Sequence, residues 1–186
     1  MKQYGILKGI GIFTLAASIS LLVACNKEDS TTETTKEDTG YATDQSLTEK
    51  IFDDAQTMAD KGANNSGPGA FKTTACGSVT HSGSSFVVDF GPTNCLCADG
   101  RYRRGKILVS YTGAYADSGS VRTIGFDNYY QNDNKVTGTR TVTNMGRNGL
   151  GQPYFNVTVS GSVTRPDGTV ISGNWNRVRT WTQGFS

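Results

Sequence analysis

Histidine is nearly absent from this sequence, since His81 is the only one among 186 residues. It lies in a Thr-His-Ser-Gly segment, which favours a solvated turn over a catalytic position. A long apolar run is absent as well. The stretch from Ile10 to Ala24 is shorter than the roughly 20 residues that a helix needs to cross a bilayer. The sequence therefore predicts neither histidine-based catalysis nor a membrane-spanning helix.

An excess of one charge sign is also lacking once the first 24 residues are set aside, because 16 bases and 16 acids remain. The charges are unevenly placed. Residues 26–60 hold ten acids and three bases, a net charge of −7, whereas residues 61–186 hold six acids and 13 bases, a net charge of +7. Such polarity guides association or repels an anionic membrane surface. It does not indicate a nucleic-acid partner.

The first 24 residues have the pattern of a secretory signal peptide, with basic Lys2 and Lys8 before the apolar stretch. The stretch ends in Leu22-Val23-Ala24-Cys25, which resembles the lipobox of bacterial lipoproteins. That resemblance implies cleavage before Cys25 and attachment of a diacylglyceryl group to its thiol. Two acyl chains are enough for stable anchoring. We therefore expect a membrane as partner and a cell-envelope location, anchored to the outer membrane and facing the periplasm or the outside.

One helix is predicted after an acidic, disordered tether at residues 25–45. The tether is rich in Thr, Glu, Asp and Ser and buries too little apolar surface to fold. Ser46 and Glu49 form a capping box, and an apolar stripe with 4-4-3 spacing follows. The stripe consists of Leu47, Ile51, Ala55 and Met58. We predict a helix over residues 46–62 and a loop over 63–69.

Residues 70–186 are predicted to form a β-rich domain, because the apolar pattern changes there to a period of two. The clearest strands are Ser85–Phe90, Lys106–Tyr115, Ser120–Tyr129, Lys135–Thr143, Tyr154–Thr164 and Thr169–Trp181. Short turns join them without helical crossovers, which favours an antiparallel meander. The predicted fold is mainly β: a curved sheet or incomplete barrel whose apolar side is covered by the N-terminal helix.

Two segments resemble a family of uncharacterised bacterial envelope lipoproteins. They run from Val88-Asp89-Phe90-Gly91 through Arg104-Gly105-Lys106-Ile107, and from Phe126-Asp127-Asn128-Tyr129-Tyr130 through Gly138-Thr139. The resemblance implies the same plan of lipobox, acidic spacer, short helix and β-rich domain, but no activity, cofactor or catalytic residue. Members of the family often continue past the segment that matches residues 179–184. We therefore expect a shortened domain whose last strand is an edge or pairs with a partner.

Three cysteines, Cys76, Cys95 and Cys97, remain after Cys25, and export would place them in an oxidising compartment. The family resemblance implies a Cys76–Cys95 disulfide, with Cys76–Cys97 as the alternative. Together with His81 the three could form a zinc site, but their spacing matches no familiar structural finger. No metal or cofactor is expected.

Catalytic residues are not expected in this chain. Most aspartates adjoin turn signals, which leaves Asp89 and Asp127 within predicted strands. Two carboxylates about 5–10 Å apart can hydrolyse a glycoside. A carboxylate hydrolase is therefore the least favoured of three hypotheses.

Aromatic and arginine side chains near the end of the chain are the candidate ligand-binding residues. They are Trp175, Arg177, Arg179 and Trp181, with Tyr129 and Tyr130 at a hairpin end. Aromatic rings beside guanidinium groups suit carbohydrate stacking or acidic polymers, and they suit core packing equally well. The leading hypothesis is a non-enzymatic lipid-anchored envelope protein with a structural or binding role. The second is a surface module that binds a glycan or envelope polymer.

Overall fold

The computed structural model describes residues 34–64 and 76–183. The signal peptide, Cys25, the start of the tether and most of the predicted 63–69 loop lie outside the described residues. Helix α1 spans Thr34–Ala63. The strands are β1 (Ser78–Ser82), β2 (Ser85–Asp89), β3 (Cys95–Leu96), β4 (Tyr102–Tyr111), β5 (Val121–Gln131), β6 (Asn134–Arg147), β7 (Pro153–Thr164) and β8 (Val170–Thr180).

The strands form one antiparallel sheet in the order β1-β2-β4-β5-β6-β7-β8, and β3 pairs with β4. The sheet is open, so that β1 and β8 are its edges. Short turns enforce this order, as the β5–β6 hairpin shows. Asn132 and Asp133 both have positive φ, at 47° and 62°, which is the backbone of a two-residue type I′ turn. The predicted mainly β fold with an antiparallel meander and one helix near the N-terminus is confirmed.

Helix α1 packs its apolar stripe onto one face of the sheet, here called the inner face. Ile51, Phe52 and Ala55 are buried, and Leu47 packs against them, as the spacing predicted. The Phe52 ring meets Phe126 edge to face, with the ring centroids 5.5 Å apart. These contacts place the hydrophobic core between α1 and the inner face.

The helix begins at Thr34, so the predicted start at Ser46 is wrong, and the later part of the predicted tether is helical. The expected cap at Ser46 does not form because the chain is already helical there. The Thr48 hydroxyl instead donates to the Asp44 carbonyl one turn earlier, at 2.9 Å. Asp44 also pairs with Arg165, which holds this turn against the sheet. The contact between α1 and the sheet has therefore prevailed over the local capping sequence at Ser46.

Ion pairs between α1 and the sheet or its connecting loops match the uneven charge distribution seen in the sequence. The pairs are Asp44–Arg165, Asp53–Arg140, Asp53–Arg177, Asp54–Arg101 and Asp60–Arg122. The acidic helix and the basic sheet thus neutralise much of each other within the domain. Among the residues that the structure describes, no helix has the length and apolar character needed to span a bilayer.

The outer face of the sheet is polar, as the alternation in β6 predicted. Thr137 and Thr139 are exposed, and the Thr137 hydroxyl lies 2.8 Å from that of Ser162 on β7. The sequence did not predict β1 and β3. β3 has only two residues, and β1 has almost no buried side chain, so neither shows an apolar alternation.

Candidate functional site at the inner face of β8

Four of the predicted ligand-binding residues lie on one side of the edge strand β8 or directly after it. These four, the β8 row, are Trp175, Arg177, Arg179 and Trp181, and each is partly buried. The strand alternation turns them toward α1, since Trp175 meets Phe52 edge to face at 5.6 Å and Arg177 pairs with Asp53. Because β8 is an edge strand, the row is open from the side of the sheet.

The strand register brings two further arginines beside the row, Arg122 on β5 and Arg140 on β6. Arg140 lies opposite Val159, which in turn lies opposite Trp175. Arg122 is connected in the same way, through Val142 and Val157, to Arg177. We name Arg122, Arg140, Arg177 and Arg179 the arginine cluster.

Two carboxylates of α1 form ion pairs with arginines of the cluster. Asp53 Oδ1 lies 2.7 Å from Arg140 Nη1 and also contacts Arg177, while Asp60 Oδ1 lies 2.6 Å from Arg122 Nη1. Three of the four guanidinium groups thus pair with two carboxylates and Arg179 pairs with neither, which leaves the cluster with a local excess of positive charge.

Arg140 is the most buried member, with a side chain only 1% exposed. Its nitrogens form the ion pair with Asp53 but no well-aligned hydrogen bond among the described residues. Burial lowers the pKa of Arg140, whereas Asp53 works in the opposite direction. Its charge is therefore incompletely compensated.

Tyr115 packs beside the arginine cluster. Its ring stacks on Phe155 with the centroids 4.9 Å apart, and the Arg122 guanidinium lies 4.8 Å from the centre of the Tyr115 ring. Burial raises the pKa of Tyr115, and Asp60 adds to that rise. The nearby guanidinium groups of Arg179, Arg122 and Arg140 act against it. One phenol thus lies within electrostatic reach of three arginines.

Arg179 forms no ion pair with any residue in 34–64 or 76–183, although its side chain is only partly exposed. Guanidinium groups bind carboxylates and phosphates through paired N–H donors. Trp181, which lies 6.5 Å from Phe155 by ring centroids, adds an aromatic surface beside Arg179. The arrangement is chemically suited to an anionic group carried on a ring-containing ligand.

Tyr129 and Tyr130 do not join this site, and the burial of Tyr129 corrects its prediction as a ligand-binding residue. Tyr129 is fully buried and accepts a hydrogen bond from Arg103 Nε at 3.2 Å. The Arg104 guanidinium lies 3.7 Å from the centre of the Tyr130 ring and covers it. Both tyrosines lie at the end of β5 remote from Arg122, where core and surface packing already occupy them.

Cys76 and Cys95 form a disulfide, with their Cα atoms 5.5 Å apart, and Cys97 is a buried free thiol. The disulfide is the pairing that the family resemblance implied. Because disulfide-bonded sulfur atoms are not thiolates, Cys76 and Cys95 cannot join His81 and Cys97 in the zinc site considered from the sequence. Within the part of the chain that the structure describes, no group of three or more His, Cys, Asp or Glu residues could hold a metal ion.

Asp89 and Asp127 lie on either side of Lys106, which is opposite Asp89 on β2 and opposite Asp127 on β5. Lys106 Nζ is 3.3 Å from Asp89 Oδ2. A cation therefore stands between the two carboxylates on the outer face.

Sequence reasoning missed Arg122, Arg140 and Tyr115. A signal was present for Arg140, because it follows Val136 and precedes Val142 in the buried phase of β6. An arginine at a position where the strand alternation predicts burial indicates that a neighbouring element supplies its counter-ion. No comparable signal marks Tyr115, which lies in a loop.

Comparisons with protein-family models, with curated proteins and with solved structures find no match for this chain. The resemblance to envelope lipoproteins thus stays a prediction. The class of the domain follows from its fold: an open antiparallel sheet covered on one face by a single helix.

Proposed function

We propose that the protein is a non-enzymatic, lipid-anchored protein of the cell envelope that binds an anionic glycan or envelope polymer at the arginine cluster. The observation that carries the proposal is a cluster of four guanidinium groups with only two carboxylates beside them, next to an open sheet edge. A partly buried cluster whose charge is not fully compensated gains stability from an anionic ligand. This accounts for arginines in a packed face better than core filling does.

Arg179 is the residue on which the binding reaction depends most. It lacks a counter-ion among the described residues, so it gives up no ion pair when a ligand carboxylate or phosphate arrives. Trp181 provides an aromatic surface at its side for the apolar face of a sugar ring. Arg177 extends the cationic surface along the edge, although Asp53 already engages it.

The test is a binding titration of the full chain in a sugar-free detergent. The probes are polygalacturonate, its neutral methyl ester and polyphosphate, so that a carboxylate ligand and a phosphate ligand are told apart. We expect binding to at least one polyanion, no binding to the methyl ester, and an affinity that falls as salt rises.

Arg179→Gln should weaken polyanion binding about tenfold, since a hydrogen bond to a charged group contributes about 1.5 kcal/mol. Lys135→Gln, which removes the same charge from a strand end outside the cluster, is the matched control and should bind normally. Equal binding of the methyl ester, or equal losses in the two variants, would overturn the proposal.

The lipid anchor is a separate part of the proposal and rests on Leu22-Val23-Ala24-Cys25. Metabolic labelling with palmitate and mass mapping of the mature N-terminus test it, with Cys25→Ala as the control. We expect label on the wild-type chain only and a mature start at Cys25. Surface proteolysis of intact cells then distinguishes a periplasm-facing domain from an outward-facing one.

A further inference from the structure

A cavity of about 320 Å³ lies between the first half of α1 and the first half of β8. On the helix side the cavity is lined by Tyr41, Asp44, Gln45 and Thr48, and on the strand side by residues 170–175. No member of the arginine cluster lines it. The volume lies at the small end of the range for ligand sites, roughly 300–1,000 Å³, which suits a ligand of one ring better than a polymer.

Two aromatic rings line the cavity and differ in how they are held. Trp175 is packed edge-on against Phe52, so its orientation is set by the core. Its indole Nε1 is buried and finds no acceptor among the described residues. Because that nitrogen has almost no accessible surface, Trp175 offers the cavity its ring and not its N–H. Tyr41, by contrast, is 72% exposed and is available to a ligand.

The polar groups of the cavity are neutral as a set. Asp44 is the only charged residue in the lining, and Arg165 on the β7–β8 turn compensates it. Gln45, Ser172 and Asn174 add amide and hydroxyl groups that both donate and accept hydrogen bonds. A charged ligand would therefore find no counter-ion here, whereas a polyhydroxylated one would find many partners.

We propose that this cavity binds a neutral pyranose ring. The apolar face of the sugar packs on the rings of Tyr41 and Trp175, and its hydroxyl groups bond to the amides and hydroxyls of the lining. The site is independent of the arginine cluster, although Trp175 and Arg177 are neighbours on the same side of β8.

The experiment follows tryptophan fluorescence of the full chain in a sugar-free detergent during titration with glucose, galactose and N-acetylglucosamine. Trp181→Phe is the background, so that Trp175 is the only tryptophan that reports. We expect a saturable change with at least one of the three sugars. No saturable change with any of them, up to the solubility limit of each, overturns the proposal.

Tyr41→Ala tests the geometry. Because Tyr41 is largely exposed, its loss leaves the core intact, and we expect about a tenfold weaker sugar affinity. Tyr102→Ala is the matched control, an exposed tyrosine on β4 outside the cavity, and it should bind as the background does. Equal effects of the two variants overturn the proposal.

The two proposed binding sites can be tested independently of each other. Arg179→Gln should leave sugar binding unchanged, and Tyr41→Ala should leave polyanion binding unchanged. Loss of sugar binding in Arg179→Gln would show that the cavity is not an independent site.

Discussion

The Asp53 carboxylate on α1 lies 2.7 Å from the guanidinium of Arg140 on β6. The Asp53 side chain is 44% exposed, whereas that of Arg140 is 1% exposed. The helix thus supplies the counter-ion for a charge held inside the sheet. This pair connects packing with the candidate site, because the same carboxylate also engages Arg177 at the open edge.

Asp53→Asn should destabilise the domain, because it leaves the buried charge of Arg140 without its partner. Removal of one member of a buried pair costs about 3–5 kcal/mol, and we expect about 2–3 kcal/mol here since Asp53 is partly solvated. Urea unfolding measures the loss. Asp133→Asn breaks the exposed pair with Arg104 and should cost less than about 1 kcal/mol. If both variants lost the same small amount, the Asp53–Arg140 pair would not stabilise the fold.

Acid should weaken the fold through Asp99. The buried Arg103 donates to its two oxygens at 2.7 and 2.6 Å, and these bonds hold the pKa of the Asp99 carboxyl well below its usual range. The unfolded pKa is about 3.9. The folded pKa is the lower one, so the stabilisation is present above about pH 4 and is lost as the pH falls below it.

Asp99→Asn should therefore lower the free energy of unfolding at about pH 7 and make it less pH-dependent below about pH 4. Urea titrations at about pH 7 and at about pH 3 measure the difference in the free energy of unfolding. Asp127→Asn, at an exposed position, is the comparison. A wild-type acid dependence that survives intact in Asp99→Asn would refute this assignment.

Alkali should weaken the fold through Tyr129. Burial raises the pKa of its hydroxyl to about 12, although Arg103 acts against the rise. The unfolded pKa is about 10. The folded pKa is the higher one, so the stabilisation is complete below about pH 10 and declines as the pH rises toward 12. Tyr129→Phe should flatten that decline. It should also cost about 1 kcal/mol at neutral pH, because Arg103 and Gln131 lose a hydrogen-bond partner.

Gly161→Ala should be destabilising because the helix approaches the sheet too closely there for a methyl group. An added Cβ would lie 2.6 Å from Cζ of Phe52 and 2.4 Å from the Thr137 carbonyl oxygen. Overpacking of this kind costs about 1–3 kcal/mol. Gly149→Ala, with open space around its Cβ, is the control. Thermal unfolding compares the two, and an unchanged midpoint for Gly161→Ala would contradict the packing described.

Reduction of Cys76–Cys95 should lower the free energy of unfolding by about 3 kcal/mol, the loop-entropy value for a bridge of this span. Non-reducing peptide mapping should recover Cys76 with Cys95. Cys97→Ser should keep that pairing and the dependence on reductant. Recovery of three free thiols at Cys76, Cys95 and Cys97 from the native protein would contradict the disulfide.

Local patterns were enough to predict most elements of the fold. The Leu47–Met58 stripe predicted which side of α1 is buried, and alternation in β7 predicted which of its side chains are buried. Turn residues then implied the order of an antiparallel meander. The site was only half predicted. The β8 row was recognised from its alternation, but its partners Arg122 and Arg140 lie on strands distant in sequence.

By itself, the sequence determined the type of the main elements, the antiparallel order and the faces of the long strands, because these depend on residues close together along the chain. Only the tertiary structure decided that α1 begins at Thr34, that Tyr129 is buried, and that three arginines from different strands pair with two carboxylates of α1. These features depend on strand register and on the way α1 packs across the sheet. The free energy of a buried charge depends on its counter-ion, and that counter-ion comes from a residue distant in sequence.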